Sequence, residues 1–75
     1  MAKFKAGDTI VQRRAYWHGM LKNHVGMVGE VIELRTYHSY RPTHYLIKFT
    51  NFAIPHIFCI NEIDECCEPY KVEKQ

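Results

Sequence analysis

Between His44 and Thr50 the chain reads His-Tyr-Leu-Ile-Lys-Phe-Thr, with Tyr45, Ile47 and Phe49 on every second position. Side chains alternate across a strand, so these three share one face, and Lys48 marks the other as wet. A strand of this kind needs a sheet with one face turned to a core. No stretch of ten residues anywhere in the chain keeps apolar positions at helical spacing, so no long helix competes. The fold must therefore be built from short strands.

The remaining runs fit that demand. Gly7-Asp8 signals a turn before the β-prone residues 9–13. Residues 14–26 are mixed and polar and read as a long loop. Residues 27–37 are rich in β-branched side chains, but Glu30 and Glu33 cannot both face water on a flat strand of period two. A bulge or sharp bend near Glu30 to Ile32, helped by Gly29, reconciles them. Pro42 puts residues 39–43 in a second loop, since proline donates nothing to a ladder. Residues 50–55 make a turn and residues 56–60 a fourth strand. Asn61 is expected to cap a single helical turn over residues 61–64, and residues 65–68 to form a fifth short strand. The expected class is all-β: a small five-stranded SH3-like barrel with a long first loop and a one-turn helix before the last strand. Closing or nearly closing the sheet removes exposed edges.

Length and composition narrow the functional classes. At 75 residues the chain is one domain, with an expected ordered core at about 4–69 and a frayed tail at 70–75. A chain this short buries only a little over ~60% of the surface that its unfolded form exposes, leaving little room for a deep catalytic pocket. With 47% hydrophobic and 24% charged residues it does not read as a disordered segment. No apolar run approaches the ~20 residues of a membrane span, and no hydrophobic stretch follows Lys3 and Lys5 as in a signal peptide. Three cysteines, an odd number, point to a reducing, cytoplasmic compartment. The net charge of +2 conceals an asymmetry: residues 1–48 carry eight Lys/Arg and three acids, residues 49–75 two lysines and five acids. Such segregation either steers a charged partner or is neutralised when the halves fold together.

The order Phe4-Lys5-Ala6-Gly7-Asp8, Gly26-x-x-Gly29-x-Val31, Tyr45-x-Ile47-x-Phe49 and Glu62-Ile63 resembles the small SH3-like barrels. Within that class His24-Val25-Gly26, the following Gly29 and the Glu62-Ile63 turn resemble the YorP-type proteins of bacillus phages, over roughly residues 4–67. The resemblance implies the barrel and a phage setting, host takeover or anti-defence, and no defined activity. A second, shorter likeness, through Arg13 or Arg14, Tyr16-Trp17 and Val25-Gly26, is to the PsaE subunit of photosystem I and the variable chain of ferredoxin–thioredoxin reductase. Those barrels dock on electron-transfer partners through basic residues. This chain departs from them in residues 18–24 and in Cys66-Cys67.

Tyr16-Trp17 follows Arg13-Arg14 in the first loop, and Tyr37 and Tyr40 flank the second with Arg41. Adjacent loops would set four aromatics and three arginines along one groove. Aromatics and arginine dominate protein–protein hot spots; the same residues stack bases and hold phosphates in single-stranded nucleic acid. Against both, Trp17 can instead fold back and plug one end of a thin barrel. The expected function is a non-enzymatic binding module docking on a protein, with a nucleic-acid-binding barrel as the alternative. A monomer or a homodimer both fit, the latter with Phe52 and the Ile54-Pro55 turn as candidate contacts.

The histidines and cysteines do not form a zinc signature. His38-x5-His44 is one residue too wide, and His56 and Cys59, three apart on a strand, point to opposite faces. Cys59 and one of Cys66 and Cys67 are expected to be small buried hydrophobes, the other an exposed thiol. No P-loop, G-x-G-x-x-G or H-E-x-x-H stands in the chain. No residue is singled out as catalytic, and no metal or cofactor is expected.

Overall fold

The computed structural model describes residues 2–17, 19–37 and 40–71; Met1, His18, His38, Ser39 and the end of the tail, 72–75, lie outside them. Five strands form one antiparallel sheet: β1 (Thr9–Gln12), β2 (Val28–Arg35), β3 (His44–Phe49), β4 (His56–Cys59) and β5 (Cys67–Pro69). A 3₁₀ turn, Met20–Lys22, lies in the first loop, and helix α1 (Ile60–Cys66) joins β4 to β5. The strand order is β4-β3-β2-β1-β5, so β4 and β5 are the edges, and among the described residues no ladder closes the sheet between them. The class is all-β, and α1 covers the gap, packing on β3, β4 and β5.

β3 has the expected alternation: Tyr45, Ile47 and Phe49 are buried, while His44, Leu46 and Lys48 are partly exposed. Burying side chains of that size contributes roughly 1.5–3 kcal/mol each. β2 carries the expected bulge. Val31 pairs with Ile47 and Glu33 with the very next β3 residue, Leu46, leaving Ile32 without a partner on β3. That single extra residue resets the phase: Glu30, Glu33 and Arg35 all lie outward, while Val31 and Leu34 turn toward the core.

Gly29 has ordinary negative backbone torsion and serves packing instead. It faces Phe49 across the ladder, and a Cβ placed there would lie 2.5 Å from the Phe49 ring. The space lets that ring sit edge-on against Phe58 at 5.4 Å.

The helix differs from expectation in start and length. It begins at Ile60, capped by Cys59 and not by Asn61, and runs seven residues, through Cys66. Ile60, Ile63 and Cys66, three apart, form its buried stripe, which requires helical backbone from residue 60. The Cys59 amide donates to the Glu62 carboxylate at 3.2 Å, half of a capping box. β5 consequently starts at Cys67, and pairing with β1 extends one residue past it: the Tyr70 amide donates to the Thr9 carbonyl at 2.9 Å.

Gln12 organises the first loop. Its buried side-chain amide donates to the carbonyls of Arg14 and Leu21, and its backbone joins Met27 and Gly26. These bonds seat Leu21, which is 1% exposed, in the core. The charge asymmetry is partly internal: Arg13 lies 3.7 Å from Glu68. An exposed pair such as Arg13–Glu68 contributes little stability, at most ~1 kcal/mol.

Candidate functional site

The residues singled out from the sequence form two groups. Arg13 and Arg14 follow β1, and both amides donate to the Cys66 carbonyl at the end of α1, at 2.8 and 3.1 Å. The chain then turns back, the Tyr16 amide donating to Leu21 at 3.0 Å. Tyr16 is half-buried against the core, and its ring lies 5.9 Å from that of Trp17, tilted by 41°. Trp17 is 75% exposed. It does not plug the sheet; Leu21, held by Gln12, supplies the apolar side chain that the loop sends inward. Arg14, Tyr16 and Trp17 line an open groove of about 320 Å³ with Ala15, Glu65 and Cys66.

The second group sits in the β2–β3 connection. Tyr40 is fully exposed, and Arg41 lines a separate cleft of about 500 Å³ with Ala2, Phe4, Leu34 and Pro42. The Tyr37 amide donates to Thr43 Oγ1 at 3.2 Å, and its ring stands edge-on to His44 at 4.9 Å. The ladders place the two groups apart. β1 ends beside the start of β2, where Val11 pairs with Val28, whereas the second loop leaves the far end of β2 at Arg35. One continuous groove through all seven residues is not formed; helix α1 runs between the two places, its first amide on Thr43 and its last carbonyl on Arg13 and Arg14.

A third arrangement was not anticipated. In the β3–β4 ladder His44 pairs with Cys59, and their Nε2 and Sγ atoms are 3.6 Å apart. On the other side of the imidazole, Nδ1 lies 2.7 Å from Thr43 Oγ1. The cysteine expectation holds for one of the Cys66–Cys67 pair and is corrected for the rest: Cys59 is exposed, while Cys66 and Cys67 are both buried. The reason is strand phase. Phe58 pairs with Tyr45 and points inward, so the next residue must point out. Burial pushes the Cys67 thiol up to about 12, and burial, with Glu65 nearby, raises that of Cys66. Antiparallel register between residues 44–50 and 56–60 was the signal that pairs His44 with Cys59.

Phe52, a candidate dimer contact, packs partly inward, its ring edge-on to His24 at 5.2 Å and to His56 at 5.4 Å; Ile54 is exposed. Among the described residues no group of three or more His, Cys, Asp or Glu is placed to hold a metal ion, and no helix is long and apolar enough to cross a membrane. No protein-family model, curated protein or solved structure matches the chain.

Proposed function

We propose that this chain is an SH3-like barrel that acts as a non-enzymatic binding module, docking on a protein partner through the groove at Trp17. The strand order, the bend in β2 and the helix between the fourth and fifth strands support the barrel reading. The observation that carries the docking reading is the exposure of Trp17, the chain's single tryptophan, beside Tyr16, while the aromatics Tyr45, Phe49 and Phe58 are buried in the core. Leaving an indole in water forgoes the stabilisation that its burial would supply, and a desolvated tryptophan is a frequent anchor of protein interfaces. The resemblance to small phage barrels supplies the setting, modulation of a host or viral protein in a bacterial cell.

Charge favours a protein over a nucleic acid. Glu65 lines the groove with Arg14, and Glu68 stands 3.7 Å from Arg13. Carboxylates interleaved with arginines suit a mixed-charge protein surface and repel phosphates. Affinity capture from bacterial lysate, with and without nuclease, beside Trp17→Ala tests the reading. A protein that survives nuclease and is lost with the variant is the expected result. Enrichment of nuclease-sensitive material alone would replace it with the nucleic-acid reading, whose affinity must fall steeply with salt.

A further inference from the structure

We propose that Cys59 is a thiol modification site, in which His44 acts as the base that readies the thiol for exchange with a low-molecular-weight disulfide. Three independent features meet there. The thiol is exposed and lies 3.6 Å from His44 Nε2. The other ring nitrogen faces Thr43 Oγ1 at 2.7 Å, and that hydroxyl oxygen already accepts the Tyr37 amide hydrogen. An open cavity of about 340 Å³, lined by Pro42, Thr43, Cys59, Ile60 and Asn61, adjoins the sulfur and is of the size that small ligands occupy.

The geometry satisfies the charged pair as well as the neutral one. If the thiol proton moves to Nε2, the imidazolium donates Nε2–H to the thiolate and Nδ1–H to Thr43 Oγ1, so both ring protons have acceptors. Tyr37 fixes the ring from its edge at 4.9 Å. The charged neighbours are Glu62 of α1, whose carboxylate is engaged by the Cys59 amide, and Arg35 of β2, opposite His44 in the ladder and paired with Glu33.

The step is thiol–disulfide exchange. The Cys59 thiolate attacks one sulfur of the small disulfide; a new S–S bond forms at Cys59 as the old one breaks. The departing thiolate leaves with the bonding pair and takes the proton from His44. Cys59 is oxidised and the leaving sulfur is reduced. The adduct persists, because the chain's other two thiols, Cys66 and Cys67, are buried in the core and cannot resolve it.

The test incubates folded protein with oxidised glutathione and maps the adduct by mass spectrometry, with rates taken from dithiodipyridine. One adduct is expected, on Cys59 alone. His44→Gln should slow the reaction by on the order of tenfold in the folded state and not at all in urea, where the ring is no longer beside the sulfur. Equal rates for wild type and His44→Gln when folded overturn the proposal. If that variant does not fold, wild type decides alone: Cys59 must react faster folded than in the unfolded chain, and an equal or slower folded rate overturns it.

Discussion

The Tyr45 hydroxyl donates to Asp64 Oδ1 at 2.6 Å and accepts the Phe4 amide at 3.0 Å, tying β3, helix α1 and the N-terminal segment together at one buried oxygen. Its phenol is fully buried, and Phe4 packs at 6.1 Å from its ring. Asp64 also accepts the Lys3 amide, so the carboxylate clamps the chain before β1 onto the helix.

Tyr45→Phe keeps the ring and strands the Phe4 amide without its acceptor. The expected loss is about 1–3 kcal/mol, the cost of leaving a buried donor unsatisfied. Urea unfolding of the variant measures it, and a loss below about 0.5 kcal/mol would show that the hydroxyl is not a structural tie.

Alkaline solution should unfold the protein through the same region. Burial, then the bond to Asp64, holds the Tyr45 phenol well above its ordinary value, and burial holds the Cys67 thiol at about 12. Both folded-state values are raised, so the unfolded chain releases these protons first. The stability they contribute is whole below about pH 8.5 and falls as pH rises, through Cys67 first and Tyr45 from about pH 10. Each such group costs up to ~1.4 kcal/mol per pH unit. Cys67→Ala should flatten the stability profile between pH 9 and 10 relative to wild type, and identical slopes there would contradict the assignment.

At Gly29 the expected outcome is overpacking. An added Cβ meets the Phe49 ring at 2.5 Å, and the ring is braced by Phe58. Gly29→Ala should therefore cost about 1–3 kcal/mol, despite a backbone that alanine tolerates. Phe49→Leu in the same chain should recover part of the loss, so the two changes combine non-additively in a thermal-melt cycle. Strict additivity would place the cost in the backbone instead.

Trp17 is 75% exposed, so its side chain should contribute little to folding. Trp17→Ala should alter stability by no more than about 0.5 kcal/mol, as exposed substitutions generally do. A cooperative melt that drops by much more would return the indole to a structural role.

Much of the sheet was legible in the chain because strand patterning is local. The alternation of Tyr45, Ile47 and Phe49 reports a one-sided strand by itself, and the clash of phase between Glu30 and Glu33 requires an extra residue within a few positions. The extent of α1 was less legible: Ile60, Ile63 and Cys66 make a stripe shorter than any window that distinguishes a helix from a strand. What only the tertiary structure decided is which distant residues share a surface. Trp17 faces water because Gln12 fastens the loop at Leu21. Cys59 meets His44 because the β3–β4 register puts them opposite one another, and Phe58, one residue earlier, must fill the core. Pattern within a strand is a property of neighbours in sequence; register between strands is set by what the core and the loops together allow.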